Sequence, residues 1–312
     1  MKINNPSNKL SKKFLQDLSK LCEISYLTQQ DVNYMYFDKI MENKNKNNKK
    51  NDQCETDQNG MNQDKCVLKS CKVVPRLYSS DKDCQMYVCD YNEHLCIVFR
   101  GTESKRDVLT DINISLVELR LPNNISGIKS YVHCGFWNQF NSIKNNLDII
   151  IKDYYRQNKI NFNTKILNDN NKDKYTKKTV IFTGHSLGGA LSTIAALHYK
   201  YLYPDINFKC VTFGSPRVGC SNFKKLFNQY IECSYRFVND NDPVPCIPTP
   251  WRFSHVKGCH WLSKDKVLYE TSKWRFWYFC KNMCLSLFGY GYDAINDHSC
   301  SEYTKDLECL DC

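Results

Sequence analysis

The sequence predicts an α/β fold built on a mostly parallel sheet, and three observations carry that expectation. Strand-like and helix-like segments alternate from residue 94 onward. Leu95-Cys96-Ile97-Val98-Phe99 is an unbroken apolar run, as a central strand buried on both faces requires. Ser186 to Tyr203 carries a helical apolar stripe between two further strand-like runs, and Pro204 stands just past its end.

In chain order, residues 8–30 place Leu10, Phe14, Leu18, Leu21 and Tyr26 at helical steps with lysines and Asp17 between them, the pattern of an amphipathic helix. A polar, low-complexity stretch at about 42–66 has almost nothing apolar and reads as an insertion. Lys72 to Tyr78, Gln85 to Asp90 and His94 to Arg100 are short runs of valines and aromatics separated by turn residues. They are predicted as adjacent strands, antiparallel at the N-terminal edge of the sheet. Ser104 to Ile114 reads as a short helix and Ser115 to Ser130 as an irregular stretch. Phe136, Phe140, Ile143, Leu147, Ile150 and Tyr154 then mark a helix over 136–156, followed by an Asn/Lys-rich loop at roughly 164–178. Thr179 to Thr183, Cys210 to Gly214 and Tyr235 to Val238 complete the strands.

Composition narrows the possibilities. With 312 residues, 42% of them hydrophobic and 24% charged, the chain buries a substantial core and is not disordered throughout. One domain spanning 1–312 with an insertion fits better than two. The net charge of +10 is spread in lysine-rich patches and forms no nucleic-acid module, so it implies attraction to anionic surfaces and no nucleic-acid partner. The basic N-terminus lacks the apolar region of a secretory signal, and no apolar run is long enough to span a bilayer, so a soluble, intracellular protein is expected. The 18 cysteines fit disulfides in an exported protein or core-filling thiols in a reducing compartment, and leave that choice open.

Gly184-His185-Ser186-Leu187-Gly188 matches G-x-S-x-G between a predicted strand and a predicted helix, the context that gives this pattern meaning. The turn must be sharp enough to lift the serine hydroxyl above the sheet, and glycines on either side avoid clashes with strand and helix. The N–H of Leu187 at the helix start suits an oxyanion. A serine nucleophile needs a base, and the base needs a carboxylate. Asp242, just past a strand and stiffened by Pro243 and Pro245, is the preferred carboxylate, with Asp240 as its rival. His298, in a polar loop near the C-terminus, is the preferred base over His255 and His260, whose strand-like segment favours packing roles. His94, His133, His185 and His198 precede the serine and are demoted, with His185 expected to point away from Ser186.

At this point the chain resembles the class 3, fungal-type lipases of the α/β-hydrolase superfamily. The likeness rests on Val98-Phe99-Arg100-Gly101-Thr102, Val132-His133-Cys134-Gly135-Phe136, Thr183 to Ala190, Thr212 to Gly219, Asn239 to Pro245 and Asp297-His298, in that family's order. The resemblance implies an α/β-hydrolase fold, with a mostly parallel central sheet and helices on both faces. It also implies hydrolysis of lipid carboxylic esters through an acyl-enzyme formed by Ser186, Asp242 and His298, with Thr102 joining Leu187 in the oxyanion hole. No cofactor is implied. The partners implied are a lipid ester and transient contact with a lipid interface, the latter through an amphipathic lid mapping to about 104–130, where Val108, Leu109, Ile112, Leu116 and Leu119 form the apolar face. The alternative is a lipid- or membrane-binding protein that keeps the fold without turnover. The aromatic and basic segment 273–290 departs from the family pattern and suits either a membrane interface or a core. Cys280, Cys284, Cys309 and Cys312 give only a weak zinc pattern, and the chemistry implied needs no metal.

Overall fold

A computed structural model describes residues 10–33, 35, 71, 76–80, 84–91, 94–102, 114–121, 127–168, 179–240, 242–263, 266–269 and 296–309. The elements are α1 (Lys12–Ile24), β1 (Arg76–Ser79), β2 (Gln85–Tyr91), β3 (His94–Phe99), β4 (Leu116–Glu118), β5 (Tyr131–His133), α2 (Cys134–Asn168), β6 (Thr179–His185), α3 (Leu187–Leu202), β7 (Asn207–Phe213), α4 (Ser221–Tyr230), β8 (Cys233–Asn239), β9 (Cys259–Ser263), β10 (Lys266–Tyr269) and α5 (Cys300–Cys309).

Eight strands form the main sheet in the order β1-β2-β3-β6-β7-β8-β9-β10. The run from β3 to β9 is parallel, with antiparallel β1 and β2 at one edge, as the sequence predicts. At the opposite edge β9 and β10 add an antiparallel hairpin that the sequence pattern had not separated from a packing segment.

Side-chain alternation divides the interior into two cores. Ile97, Phe99, Val180, Phe182, Phe208 and Cys210 point to one face and pack with Phe140, Ile143 and Leu147 of α2, with α3 and with Phe223 and Phe227 of α4. Cys96, Val98, Ile181, Val211, Phe213 and Phe237 point to the other and pack with Phe14, Leu18 and Leu21 of α1 and with Tyr303 and Leu307 of α5. Strands buried on both faces explain why β3 and β6 read as continuous apolar runs.

Ser11 caps α1, its hydroxyl accepting from Phe14 N–H at 3.2 Å. The helix ends at Ile24, before the five-residue step to Tyr26, which packs at the margin of the second core. α1 and α5 are joined by Ser19 Oγ and Thr304 Oγ1 at 2.9 Å, by Gln16 Nε2 donating to Leu307 O at 2.8 Å and by Lys20 and Glu308 at 2.6 Å.

Two expectations are corrected. α2 runs to Asn168 and takes in the start of the loop expected at 164–178. The stretch expected to be irregular contains β4, which pairs with β5 as a separate two-stranded sheet. Three residues are too short to show an alternation, and their partner lies beyond the intervening loop. Leu119, assigned to the lid face, is 2% exposed and packs in the first core. Val108, Leu109, Ile112, the insertion at 42–66, the segment 273–290 and the cysteines Cys280, Cys284 and Cys312 lie outside the described residues.

The cysteine side chains described by the structure, from Cys22 to Cys300, are free thiols. Burial pushes Cys22, Cys84 and Cys210 up to about 12, so these side chains fill the core as neutral thiols. No helix among the described residues is long and apolar enough to cross a membrane.

His198 on α3 sits among Trp137, Phe140 and Tyr199 with neither ring nitrogen hydrogen-bonded among the described residues. Burial, with Lys144 nearby, lowers its pKa from 6.5 to about 4. Above pH 6.5 the ring is neutral in both states; as pH falls towards 4 only the unfolded chain takes up the proton. Stability attributable to this residue is therefore expected to fall by up to about 3 kcal/mol across that window. Chemical denaturation of wild type and His198→Leu between those pH values checks it, and the variant is expected to show a flatter acid limb.

Candidate active site

Four adjacent parallel strands end on the same side of the sheet, and each is followed at once by a residue of the site. Gly101 and Thr102 follow β3, Ser186 follows β6, Gly214 follows β7 and Asp242 follows β8. His298 comes from the loop that precedes α5.

Ser186 has φ +56 and ψ −125, and no other non-glycine among the described residues has a positive φ. The strain is held by close packing of β3, β6 and α3. A Cβ on Gly184 would lie 2.5 Å from Gly188 O and 2.8 Å from Phe99 O, and one on Gly188 would lie 2.8 Å from Phe99 C. Only glycine fits at either position. Ser186 N–H donates to Phe213 O at 2.9 Å, which pins the turn to β7. Ser186 C=O accepts from Gly189 N–H at 2.9 Å as α3 begins.

The structure brings Ser186, Asp242 and His298 together. His298 Nδ1 lies 2.8 Å from Asp242 Oδ2, and His298 Nε2 lies 2.8 Å from Ser186 Oγ. A carboxylate only accepts, so Nδ1 carries the proton, and Nε2 is left to accept from the serine hydroxyl. All three side chains are almost fully buried, with Ser186 1%, Asp242 1% and His298 3% exposed. Asp242 Oδ1 accepts from Val244 N–H at 2.8 Å, and Oδ2 accepts a second bond from the Tyr303 hydroxyl at 2.5 Å. The Tyr303 hydroxyl in turn accepts from Asn239 N–H at 2.9 Å. Burial, then the neighbouring Asp242, pushes the Tyr303 phenol well above its usual range, so it stays a donor.

The rival candidates stand elsewhere. Asp240 stands just past β8, its N–H donating to Leu262 O at 2.9 Å. His255 donates from Nε2 to Pro245 O at 2.6 Å, and His260 places Nδ1 2.8 Å from Gly258 O on the edge hairpin. His185 points away from Ser186, as expected from the turn, but its ring lies 4.6 Å from that of His298. Leu187 opens α3 with its N–H at the helix start, and Gly101, beside Thr102, packs so that its Cβ would lie 3.3 Å from Ser186 Cβ. Both expected oxyanion donors thus stand on chain segments that border the serine. Among the described residues no group of three His, Cys, Asp or Glu side chains is placed to hold a metal ion.

Sequence reasoning missed Tyr303 and Gly214. Tyr303 shares a helical stripe with Cys300 and Leu307, which announces burial but not a partner for the hydroxyl. Gly214 has φ +59, and a Cβ there would lie 2.8 Å from Asp242 Oδ2 and 3.0 Å from His298 Nδ1.

A nucleophile-elbow turn over a mostly parallel sheet, with layers of helices on both faces, defines an α/β-hydrolase fold. Comparison with known proteins gives the family. The model of the family described as lipase (class 3) matches residues 96–251, half of the chain, and the chain belongs to that family. It is 40% identical over 84 residues to a secreted mono- and diacylglycerol lipase of Fusarium solani, covering 26% of this chain and 24% of that protein. It is 29% identical over 180 residues to a Rhizomucor miehei lipase, covering 56% of this chain and 44% of the relative. The chain thus spans less than half the length of the curated relatives it matches. Among solved structures, the Rhizomucor miehei triacylglyceride lipase superposes with a TM-score of 0.62 over 93% of this chain and 94% of its own, at 22% identity. A triacylglycerol lipase with a serine protease triad as its catalytic centre superposes with a TM-score of 0.51 at 26% identity, over 65% and 70% of the two chains.

Gly214→Ala is expected to force Asp242 and His298 apart, because its methyl group would occupy the space between them in a left-handed backbone. Thermal unfolding should report a loss of at least about 1–3 kcal/mol. The low-field proton resonance of the His298–Asp242 bond should disappear.

Proposed function

We propose that this chain is a serine carboxylester hydrolase that cleaves acylglycerol-type lipid esters. The observation that carries the reading is the single His298 ring hydrogen-bonded to Asp242 at one nitrogen and to Ser186 at the other. Membership of the class 3 lipases supports the substrate class, as do the acylglycerol lipases named among its relatives.

In this reading Ser186 Oγ attacks the ester carbonyl while its proton passes to His298 Nε2. Asp242 holds the Nδ1–H and balances the imidazolium, and Tyr303 with Val244 N–H keeps the carboxylate aimed. The oxyanion is met by Leu187 N–H and by Thr102, a kind of contribution worth about 3 kcal/mol for each donor. Collapse expels the alcohol, which takes the proton from His298, and leaves an acyl group on Ser186. Water, deprotonated by the same imidazole, then releases the fatty acid. The intact hydrogen bonds around Ser186 favour turnover over a binding role without chemistry.

A fluorophosphonate probe is expected to label Ser186, and p-nitrophenyl esters and emulsified triacylglycerol are expected to be hydrolysed. Ser186→Ala and His298→Ala should each lower kcat by about 10⁴-fold or more while circular dichroism stays native. Absence of labelling and turnover in folded protein, with and without a lipid interface, would sink the assignment.

A further inference from the structure

Tyr26 lies just beyond the end of α1, far in sequence from the residues around Ser186, yet its hydroxyl reaches them. The hydroxyl oxygen lies 2.8 Å from His185 Nδ1, and it packs so closely against the Gly101 backbone that a Cβ there would clash with it. His185 Nε2 lies 2.8 Å from the backbone carbonyl oxygen of His298. The directions of these bonds follow from chemistry. A carbonyl only accepts, so His185 Nε2 carries a proton; the neutral ring then has a bare Nδ1, which must accept from the tyrosine. Burial keeps the Tyr26 phenol protonated, far above its usual range. The result is a one-way chain, from Tyr26 O–H to His185 to the carbonyl of His298, with Gly101 packed against its first member.

Packing leaves the chain little freedom. The His185 ring stands edge-on to the Tyr26 ring with centroids 6.1 Å apart, and lies 4.6 Å from the His298 ring and 5.8 Å from Tyr303. The Arg100 guanidinium covers the Tyr26 ring at 5.7 Å. Gly101 is wedged so tightly that a Cβ would lie 2.8 Å from His185 O and within clashing distance of the Tyr26 hydroxyl.

We propose that Tyr26 is a positioning residue for the chemistry at Ser186. By packing against Gly101 on one side and holding His185 on the other, it fixes the segment that carries Thr102 and the backbone of the base His298 relative to the nucleophile. This rests on the hydrolase reading of the site above. Tyr26 touches neither Ser186 Oγ nor the reacting carbonyl; it acts through His185 and Gly101. α1 ends at Ile24, and Tyr26 follows two residues later at the margin of the core that α1 buries.

The test is a double-mutant cycle of Tyr26→Phe and His185→Ala, with kcat and KM on a soluble short-chain ester, corrected for active sites by fluorophosphonate titration. Tyr26→Phe is expected to lower kcat about tenfold at unchanged KM, the loss of one aligned contact at about 1.4 kcal/mol. In the His185→Ala background the same change is expected to cost less than twofold. A general loss of fold would instead lower the titrated fraction and the melting temperature. Wild-type kcat per site in Tyr26→Phe, or fully additive effects, would overturn the proposal. A readout without substrate separates it from the hydrolase reading. In ¹⁵N-histidine spectra His185, assigned from its alanine variant, is expected to be a neutral Nε2–H ring with a hydrogen-bonded Nδ1 in wild type and to lose that Nδ1 signature in Tyr26→Phe. An unchanged His185 spectrum would overturn the chain itself. A changed one beside an inactive wild type would overturn only the hydrolase reading.

Discussion

The backbone strain at Ser186 is the constraint on which the rest of the site depends. A residue with a side chain does not sit at φ +56 unaided, and it is held there because β3, β6 and the start of α3 approach more closely than any Cβ would permit at Gly184 or Gly188. That approach exists because the strands are buried on both faces. Helices pressed against either side leave β6 no room to relax, and the hydrogen bond from Ser186 N–H to Phe213 O transmits the fixation to the next strand. Strain at Ser186 is thus sustained by apolar burial in two cores, and the hydroxyl is set at the C-terminal ends of the parallel strands, where neighbouring loops converge.

Buried charge sets the second requirement. Asp242 is nearly inaccessible to water, and a carboxylate there is tolerable only if its lone pairs are matched. His298, Tyr303 and Val244 N–H supply that match from three separate parts of the chain. One of these donors is His298, the proposed base. The other two leave it a single orientation, with Nδ1 towards the carboxylate and Nε2 towards Ser186. Gly214 makes the arrangement possible by having no side chain where Asp242 and His298 meet. α1 and α5 complete the enclosure, contributing Tyr26 and Tyr303 from the face opposite α3.

Much of the fold was legible because each core strand is apolar on both faces and each long helix has a regular stripe, so β3, β6, α3 and the register of α2 stand out in the sequence. Elements held by partners remote in the chain were not. β4 is three residues long and exists only because β5 pairs with it; β10 is an edge strand whose pairing with β9 closes a hairpin. Leu119 was assigned to the apolar face of a lid, since an apolar side chain near a polar run reads the same whether it covers a cleft or fills a core. In the structure Leu119 is 2% exposed and packs within the first core.

The sequence by itself determined the elbow, the order of serine, aspartate and histidine, and the family blocks that frame them. These are local patterns: a strand, a tight turn and a helix are encoded by neighbouring residues, and the preference for Asp242 came from its place just past a strand, in a loop stiffened by Pro243 and Pro245. Only the tertiary structure decided that His298 and Asp242 meet at 2.8 Å, that Tyr303 donates to Asp242, and that Tyr26 reaches His185 across 159 residues. Such contacts leave no periodicity in the chain. They arise where four strand ends and two helices converge, and their geometry is set by packing on both faces of the sheet rather than by any residue's near neighbours.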